Sequence, residues 1–170
     1  MVESITIRLD QISSLPTSVF PDIAESQKAW IREEVLVSEQ IRLFNQLVGE
    51  KGKTFAFQWF QDGAGYVLAA KSWVPFTQIE RAFVLYLCWE QANLRGNEVV
   101  LEKLDNQEAL VKIIPIYFKL YQQTAHLPQL IPWDDYCQLF EVVWQDRAKH
   151  AGWKLVIEYE NDTSILHFTR

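Results

Sequence analysis

Residues 154–169 have the sequence KLVIEYENDTSILHFT, in which two β-prone runs flank Asn161 and Asp162. These two residue types tolerate the backbone of a two-residue turn, so the pattern predicts an antiparallel hairpin. In that register four apolar side chains pair across the hairpin and share one face: Leu155 with Phe168, and Ile157 with Leu166. Val156 and His167 then lie on the opposite face, as expected for a half-buried ladder.

A helix is predicted immediately before this hairpin. Pro132 and Trp133 precede two acidic residues, which are favoured in the first turn of a helix, and Gly152 follows as a C-terminal signal. The residues between them that recur at helical spacing are Tyr136, Leu139, Phe140, Val143, Arg147 and Ala148. The order of helix, glycine and hairpin is similar to the C-terminal ends of bacterial ligand-binding domains, a similarity of fold alone.

Two further helices are predicted upstream. Residues 23–48 carry apolar side chains at helical spacing, and Gly49 stands where a C-terminal glycine cap is expected. Residues 77–80 form a capping-box pattern that opens another helix, which ends at Gly96. Because residues 82–89 are almost all apolar, we expect this helix to lie centrally and to be buried nearly all round.

Strands are predicted in the first half of the chain as well. Residues 4–9 alternate apolar and polar side chains, which is typical of a strand. Residues 54–60 and 66–71 are rich in aromatic and aliphatic residues and flank the glycine-containing stretch 62–65, so we expect a hairpin. Both faces of that hairpin are partly apolar, which predicts that it is covered or that the chain forms a homodimer.

The stretch between the second helix and the last one is ambiguous. Residues 97–104 fit either a short strand or the start of a helix, and we prefer the helix. Residues 106–122 carry apolar side chains at helical spacing, and Pro115 is expected to kink or split that helix. Together these elements predict one α+β domain over residues 1–170, with an antiparallel sheet (the N-terminal strand plus two hairpins) packed with about four helices.

Composition and charge exclude several classes of protein. The 170 residues include 16 basic and 22 acidic side chains, for a formal net charge of −6. Binding to a phosphate backbone needs a basic surface, so we expect no nucleic-acid partner. The longest apolar stretch, 82–89, is much shorter than a membrane span, and the N-terminus lacks the pattern of a secretory signal, so no membrane association is expected. Cys88 and Cys137 lie far apart and do not suggest a disulfide framework, which favours a cytoplasmic location.

The sequence contains no recognisable motif for metal binding or catalysis. His126, His150 and His167 have no second ligand at a metal-binding spacing, so we expect no metal or other cofactor. The glycines at 63 and 65 would join two strands, which indicates a turn rather than a phosphate loop. No serine elbow is present, and both cysteines fall in helical patterns, where buried thiols are usually inert. We therefore expect binding rather than catalysis.

Aromatic residues at the junctions between elements are the most informative feature. Three of the seven tryptophans lie beside turns that contain proline or glycine. Such residues close the ends of a core, or they bind a ligand or a partner. On the second interpretation the candidate binding residues are Trp73, Pro75, Phe76, His126, Trp133 and Trp153.

Three functions are compatible with these observations. The preferred one is a cytoplasmic, non-enzymatic interaction protein, an adaptor or regulatory partner that uses the apolar loops around Trp73 and Trp133. The second is a small-molecule-binding domain whose aromatic-lined pocket, between the sheet and its helices, takes an apolar or aromatic ligand. The third is a small hydrolase-type enzyme whose scattered Asp, Glu and His side chains converge only in three dimensions.

Overall fold

The computed structural model describes residues 24–114 and 132–170, which form a single α+β domain, as the sequence predicts. The helices are α1 (Glu25–Lys51), α2 (Lys53–Phe60), α3 (Gly63–Trp73), α4 (Ile79–Trp89), which continues as a π-helical segment (Glu90–Leu94), and α5 (Trp133–His150). The strands are β1 (Glu98–Leu104), β2 (Glu108–Ile114), β3 (Lys154–Glu160) and β4 (Thr163–Thr169). They form one antiparallel sheet in the order β1-β2-β4-β3.

The C-terminal hairpin has the register predicted from its alternation. Leu155 faces Phe168 and Ile157 faces Leu166 across β3 and β4. Asn161 has a φ of 54° in the turn, a conformation that asparagine adopts more readily than most residues. Strands β1 and β2 pair as another antiparallel hairpin. Because β4 also pairs with β2, the two hairpins are joined through the middle of the sheet.

The main core lies between the sheet and three of the helices. Phe83 and Leu87 on α4 are fully buried in it, together with Tyr66 on α3 and Trp144 on α5. The Phe83 ring meets the Phe168 ring edge-on, with the centroids 5.9 Å apart. This geometry is one of those preferred by aromatic pairs, and it ties the central helix to the centre of the sheet.

A second, smaller core joins α1, α2 and α5. Its buried positions on α1 are Val37, Ile41 and Phe44, which meet Ala56 on α2 and Leu139 on α5. The spacing of three and four residues along α1 is the apolar stripe predicted from the sequence. In residues 24–114 and 132–170 no helix is long and apolar enough to cross a membrane.

The hairpin predicted over residues 54–71 is wrong, because this region forms α2 and α3. The strand propensity of these residues is outweighed by tertiary packing. The buried residues recur here at helical spacing: Ala56 on α2, and Gly63, Tyr66, Val67 and Ala70 on α3. The backbone N–H of Gly63 donates to Asp146 Oδ2 at 2.8 Å, so the glycine permits close packing rather than a strand turn. A homodimer argued from two apolar faces of that hairpin loses this basis.

The helices predicted over residues 97–104 and 106–122 are also wrong within the described chain, which forms β1 and β2 there. Asp105 Oδ1 accepts two backbone N–H groups of the intervening turn, at 2.8 and 2.9 Å. In β2 the fully buried residues alternate: Ala109, Val111 and Ile113. Apolar neighbours on the outer face conceal this period of two. Residues 115–122, like the predicted strand over 4–9, lie outside the described residues.

The predicted helices α1 and α4 are confirmed, although the end of α1 and the start of α4 differ from the prediction. Gly49 lies inside α1, and Gly52, with a φ of 85°, follows its last turn. Gln78 is the N-cap of α4 and makes no side-chain cap hydrogen bond, so the capping box predicted for residues 77–80 does not form. Beyond Trp89 the chain continues as the π-helical segment to Leu94, and Gly96, with a φ of 68°, follows its C-cap Arg95, so the predicted end at Gly96 is confirmed.

Candidate functional site

A cavity of about 200 Å³ lies between α1, α5 and the chain segment that follows α4. Most of its wall is apolar and is formed by Val37, Ile41, Phe60, Leu139, Phe140 and Val143, with the rings of Tyr136 and Trp144. The polar part of the lining is formed by Glu33, Gln40, Asp62, Gln91, Arg95, Asn97 and Arg147. The cavity therefore lies among helices, and it has the mixed lining typical of small-molecule sites.

Arg95 belongs to the polar part of the cavity lining and forms ion pairs with two carboxylates. Its Nη1 donates to Glu33 Oε1 at 2.7 Å, and its Nε lies 3.5 Å from Glu90 Oε1. Burial on its own would lower the pKa of Arg95, but the hydrogen bonds and charges of Glu33 and Glu90 outweigh it and raise the pKa above its ordinary value. One charged guanidinium is thus shared by two buried carboxylates.

Glu90 is also hydrogen-bonded to Tyr66, which lies in the main core. Its hydroxyl donates to Glu90 Oε2 at 2.5 Å. Burial, followed by the charge of Glu90 and the hydrogen bond to it, raises the pKa of Tyr66 well above its ordinary value. The Arg147 guanidinium lies 4.1 Å from the centroid of the Tyr66 ring and 4.6 Å from that of Trp144. The two rings therefore hold Arg147 in place by cation–π attraction.

Asp62 completes the pairing of charges around the cavity. Its two carboxylate oxygens accept from Nε and Nη2 of Arg147 at 2.6 and 2.8 Å. This is the bidentate geometry in which a guanidinium and a carboxylate interact most strongly. Asp62 directly precedes α3, so the pair also links the start of α3 to α5.

The π-helical segment places one polar side chain, that of Gln91, in the cavity lining, directly after the buried Glu90. Glu90 and its neighbour Gln91 are both buried, with 9% and 5% of their surface exposed. A π-helical turn changes the angle between successive side chains and is frequent at functional sites. Asn97 fixes the amide of Gln91 by donating from Nδ2 to Gln91 Oε1 at 2.7 Å. The segment thus supplies hydrogen-bonding groups to a mainly apolar space.

The structure does not bring the sequence-predicted binding residues together. Trp73 and Phe76 are 67% and 80% exposed, and Pro75 is exposed between them. Trp153, by contrast, is buried in the main core and donates from Nε1 to the Glu80 carbonyl at 3.0 Å. Trp133 lies at the start of α5, and its ring stacks on the cavity residue Tyr136, with the centroids 5.7 Å apart. His126 lies outside the described residues.

Trp73 belongs to an exposed aromatic surface. Its ring stacks on Trp89, with the centroids 5.9 Å apart and the planes at 18°. Trp89 in turn stacks on Tyr86 at 6.0 Å. We call Trp73, Phe76, Tyr86 and Trp89 the aromatic surface. The exposed area of Trp73 and Phe76 is unusual for large apolar side chains outside binding sites.

The cavity residues Glu33, Arg95 and Arg147 were not predicted as site residues. One available signal is that Glu33 lies four residues before Val37 and eight before Ile41, on the same face of α1. A charged residue on an apolar helix face needs a buried partner. The sequence does not name that partner, because Arg95 is 62 residues away.

The comparisons with known proteins do not assign this chain to a family. No protein-family model matches the sequence, and no curated protein matches it either. Within residues 24–114 and 132–170, no group of three or more His, Cys, Asp or Glu side chains is arranged to hold a metal ion. The geometry of the cavity and of the aromatic surface therefore carries the functional argument.

Proposed function

We propose that this protein is a non-enzymatic binding domain for a small molecule that occupies the cavity between α1 and α5. The observation that carries the proposal is the combination of an apolar wall with polar lining residues that are paired with one another, the Glu33–Arg95 pair being largely buried. Prepaired polar groups keep their orientation without a ligand, so a ligand can bind without reordering them. The volume of about 200 Å³ is below the range typical of drug-sized sites and favours a ligand of one or two rings.

Binding rather than catalysis is supported by the state of the polar groups. Arg95 and Arg147 are each engaged by carboxylates. The described residues that line the cavity include no Ser, Thr, Cys or His, so no nucleophile of these types lies beside a ligand bound there. The two cysteines, Cys88 and Cys137, are free thiols, which is consistent with the proposed cytoplasmic location.

Protein-observed NMR with indole as the probe tests this proposal. Indole should shift the resonances of cavity residues such as Val37 and Leu139. Val143→Phe adds volume to the cavity wall and should weaken indole binding at least ten-fold. The matched control is Val156→Phe on the exposed face of β3, which should bind indole as the wild type does. Equal binding by both variants, or shifts confined to residues outside the cavity, would contradict the proposal.

The aromatic surface supports a second proposed function, self-association of the chain. The stacked rings of Trp73 and Trp89 present an exposed apolar area, and a two-fold dimer buries the same patch of both subunits. Two molecules that each carry a formal net charge of −6 approach most easily at an uncharged surface. Sedimentation equilibrium should give a dimer that Trp73→Ser combined with Phe76→Ser converts to monomer. A wild-type monomer at high micromolar concentration would rule this out.

A further inference from the structure

We infer that the ligand of this cavity is an organic cation, a protonated amine attached to a flat apolar body. The inference rests on the proposed small-molecule function and names the chemistry of that ligand. Its basis is the balance of charge around the cavity together with the aromatic wall.

Negative charge is in excess around Arg95. Asp62 and Arg147 form a closed bidentate pair. Arg95, however, faces both Glu33, which lines the cavity, and Glu90, which does not, so one guanidinium balances two carboxylates. Both carboxyl side chains are about nine-tenths buried, and uncompensated buried charge is costly. A ligand that brings one positive charge would restore the balance.

Glu33 has a carboxylate oxygen that can accept a hydrogen bond from a cationic group of the ligand. Its Oε1 accepts from Arg95, and its Oε2 accepts no hydrogen bond from the residues that the structure describes. Glu33 lines the cavity with 9% of its surface exposed. An ammonium group with three N–H donors can donate to this oxygen while its apolar body lies along α5.

The wall of the cavity favours a cation for an independent reason. Phe60, Tyr136 and Phe140 line it, and the faces of aromatic rings attract positive charge. The protein already uses this interaction in the same region, where Arg147 lies over Tyr66 and Trp144. An anionic ligand would lie beside these rings and the Glu33 carboxylate, while both arginines are already engaged.

Calorimetric titration with three probes of one shape tests the inference. Tryptamine carries an ammonium group at pH 7, 3-ethylindole is neutral, and indole-3-acetate carries a carboxylate. The expected Kd of tryptamine is at least ten-fold lower than that of 3-ethylindole, and indole-3-acetate should bind more weakly than both. Glu33→Gln should raise the Kd of tryptamine to near the Kd of 3-ethylindole measured on the same variant. Glu39→Gln, at an exposed position of the same helix, should change neither.

The possible failures are distinguishable. If 3-ethylindole or indole-3-acetate binds as tightly as tryptamine or more tightly, the inference of a cation is overturned and the small-molecule function stands. If Glu33→Gln leaves the preference for tryptamine intact, Glu33 is not the recognising group and the inference is overturned as well. If none of the three probes binds, the proposed function itself fails.

Discussion

Arg95 and Glu33 are 62 residues apart in the sequence, and their side chains meet at 2.7 Å between Nη1 and Oε1. Glu33 lies on α1 and Arg95 directly follows the π-helical segment, so the pair fastens α1 to the rest of the domain. Both residues also line the cavity. Under the proposed function, stability and ligand binding would depend on the same contact.

Replacement of Arg95 should be strongly destabilising. Arg95→Met keeps much of the aliphatic stem but leaves Glu33 and Glu90 buried without their counter-charge. Loss of one partner of a buried ion pair costs about 3–5 kcal/mol, and we expect roughly the lower value because a quarter of the Arg95 side chain is exposed. Urea unfolding at pH 7 measures the change. Arg32→Met, at an exposed position of α1, is the control and should stay within about 0.5 kcal/mol of wild type.

Two glycines close together in the sequence should respond in opposite ways to alanine. A Cβ on Gly63 would meet the Asp146 carbonyl oxygen at 2.7 Å and would also clash with the His150 ring, so Gly63→Ala should lower the free energy of unfolding by about 1–3 kcal/mol, as overpacking does. A Cβ on Gly65 meets nothing within 4 Å. Gly65→Ala should therefore stabilise α3 by roughly 0.5–1 kcal/mol. Thermal unfolding of the two variants distinguishes them, and equal melting temperatures would contradict the packing described for Gly63.

Trp153 and Trp73 should differ in how much they contribute to the stability of the fold. Trp153 is 4% exposed and donates to the Glu80 carbonyl, so Trp153→Ala should cost about 3–5 kcal/mol in stability. Trp73 is mostly exposed, and Trp73→Ala should change stability by less than about 1 kcal/mol. If the aromatic surface binds a partner, Trp73→Ala should weaken that association more than it lowers the melting temperature. A large loss of stability in Trp73→Ala would instead mean that Trp73 supports the fold.

The two thiols should be poorly reactive and should react in a fixed order. Burial raises the pKa of Cys88 to about 12. Burial and the charges of Glu141 and Asp134 raise the pKa of Cys137 to about 11. Because the thiolate is the reactive form, a disulfide reagent at pH 8 should modify Cys137 faster than Cys88. Cys137→Ser should remove the faster phase, and a faster reaction at Cys88 would contradict the assignment.

Alkaline pH should destabilise the protein through Tyr66. The pKa of Tyr66 is raised in the folded state by burial and by Glu90, whereas its ordinary value is 10.0. The folded protein therefore keeps this proton above pH 10 while the unfolded chain releases it. The contribution is fully present below pH 10 and is lost as the pH rises further. Tyr66→Phe should show a shallower decline in the free energy of unfolding above pH 10, and an identical slope would count against a buried, protonated Tyr66.

Some of the fold could be predicted because local pattern and tertiary packing agree. In the C-terminal hairpin the turn residues and the alternation both specify one register, and Leu155 does face Phe168. In α2 and α3 the two disagree. Aromatic residues such as Phe57 and Trp59 favour strands in isolation, but packing on α5 and α1 requires the helical face. The buried alternation of β2 was likewise hidden by apolar residues on its outer face.

By itself the sequence determined the α+β class, the C-terminal helix and hairpin, the apolar stripe of α1 and the buried character of α4. These features depend on residues within one or two turns of each other, so their periodicity is visible along the chain. Only the tertiary structure decided that residues 54–71 are helical and that Glu33, Arg95 and Arg147 meet at one cavity. Such a site combines residues from distant elements, and the free energy that holds it arises from desolvated contacts that exist only after the helices have packed.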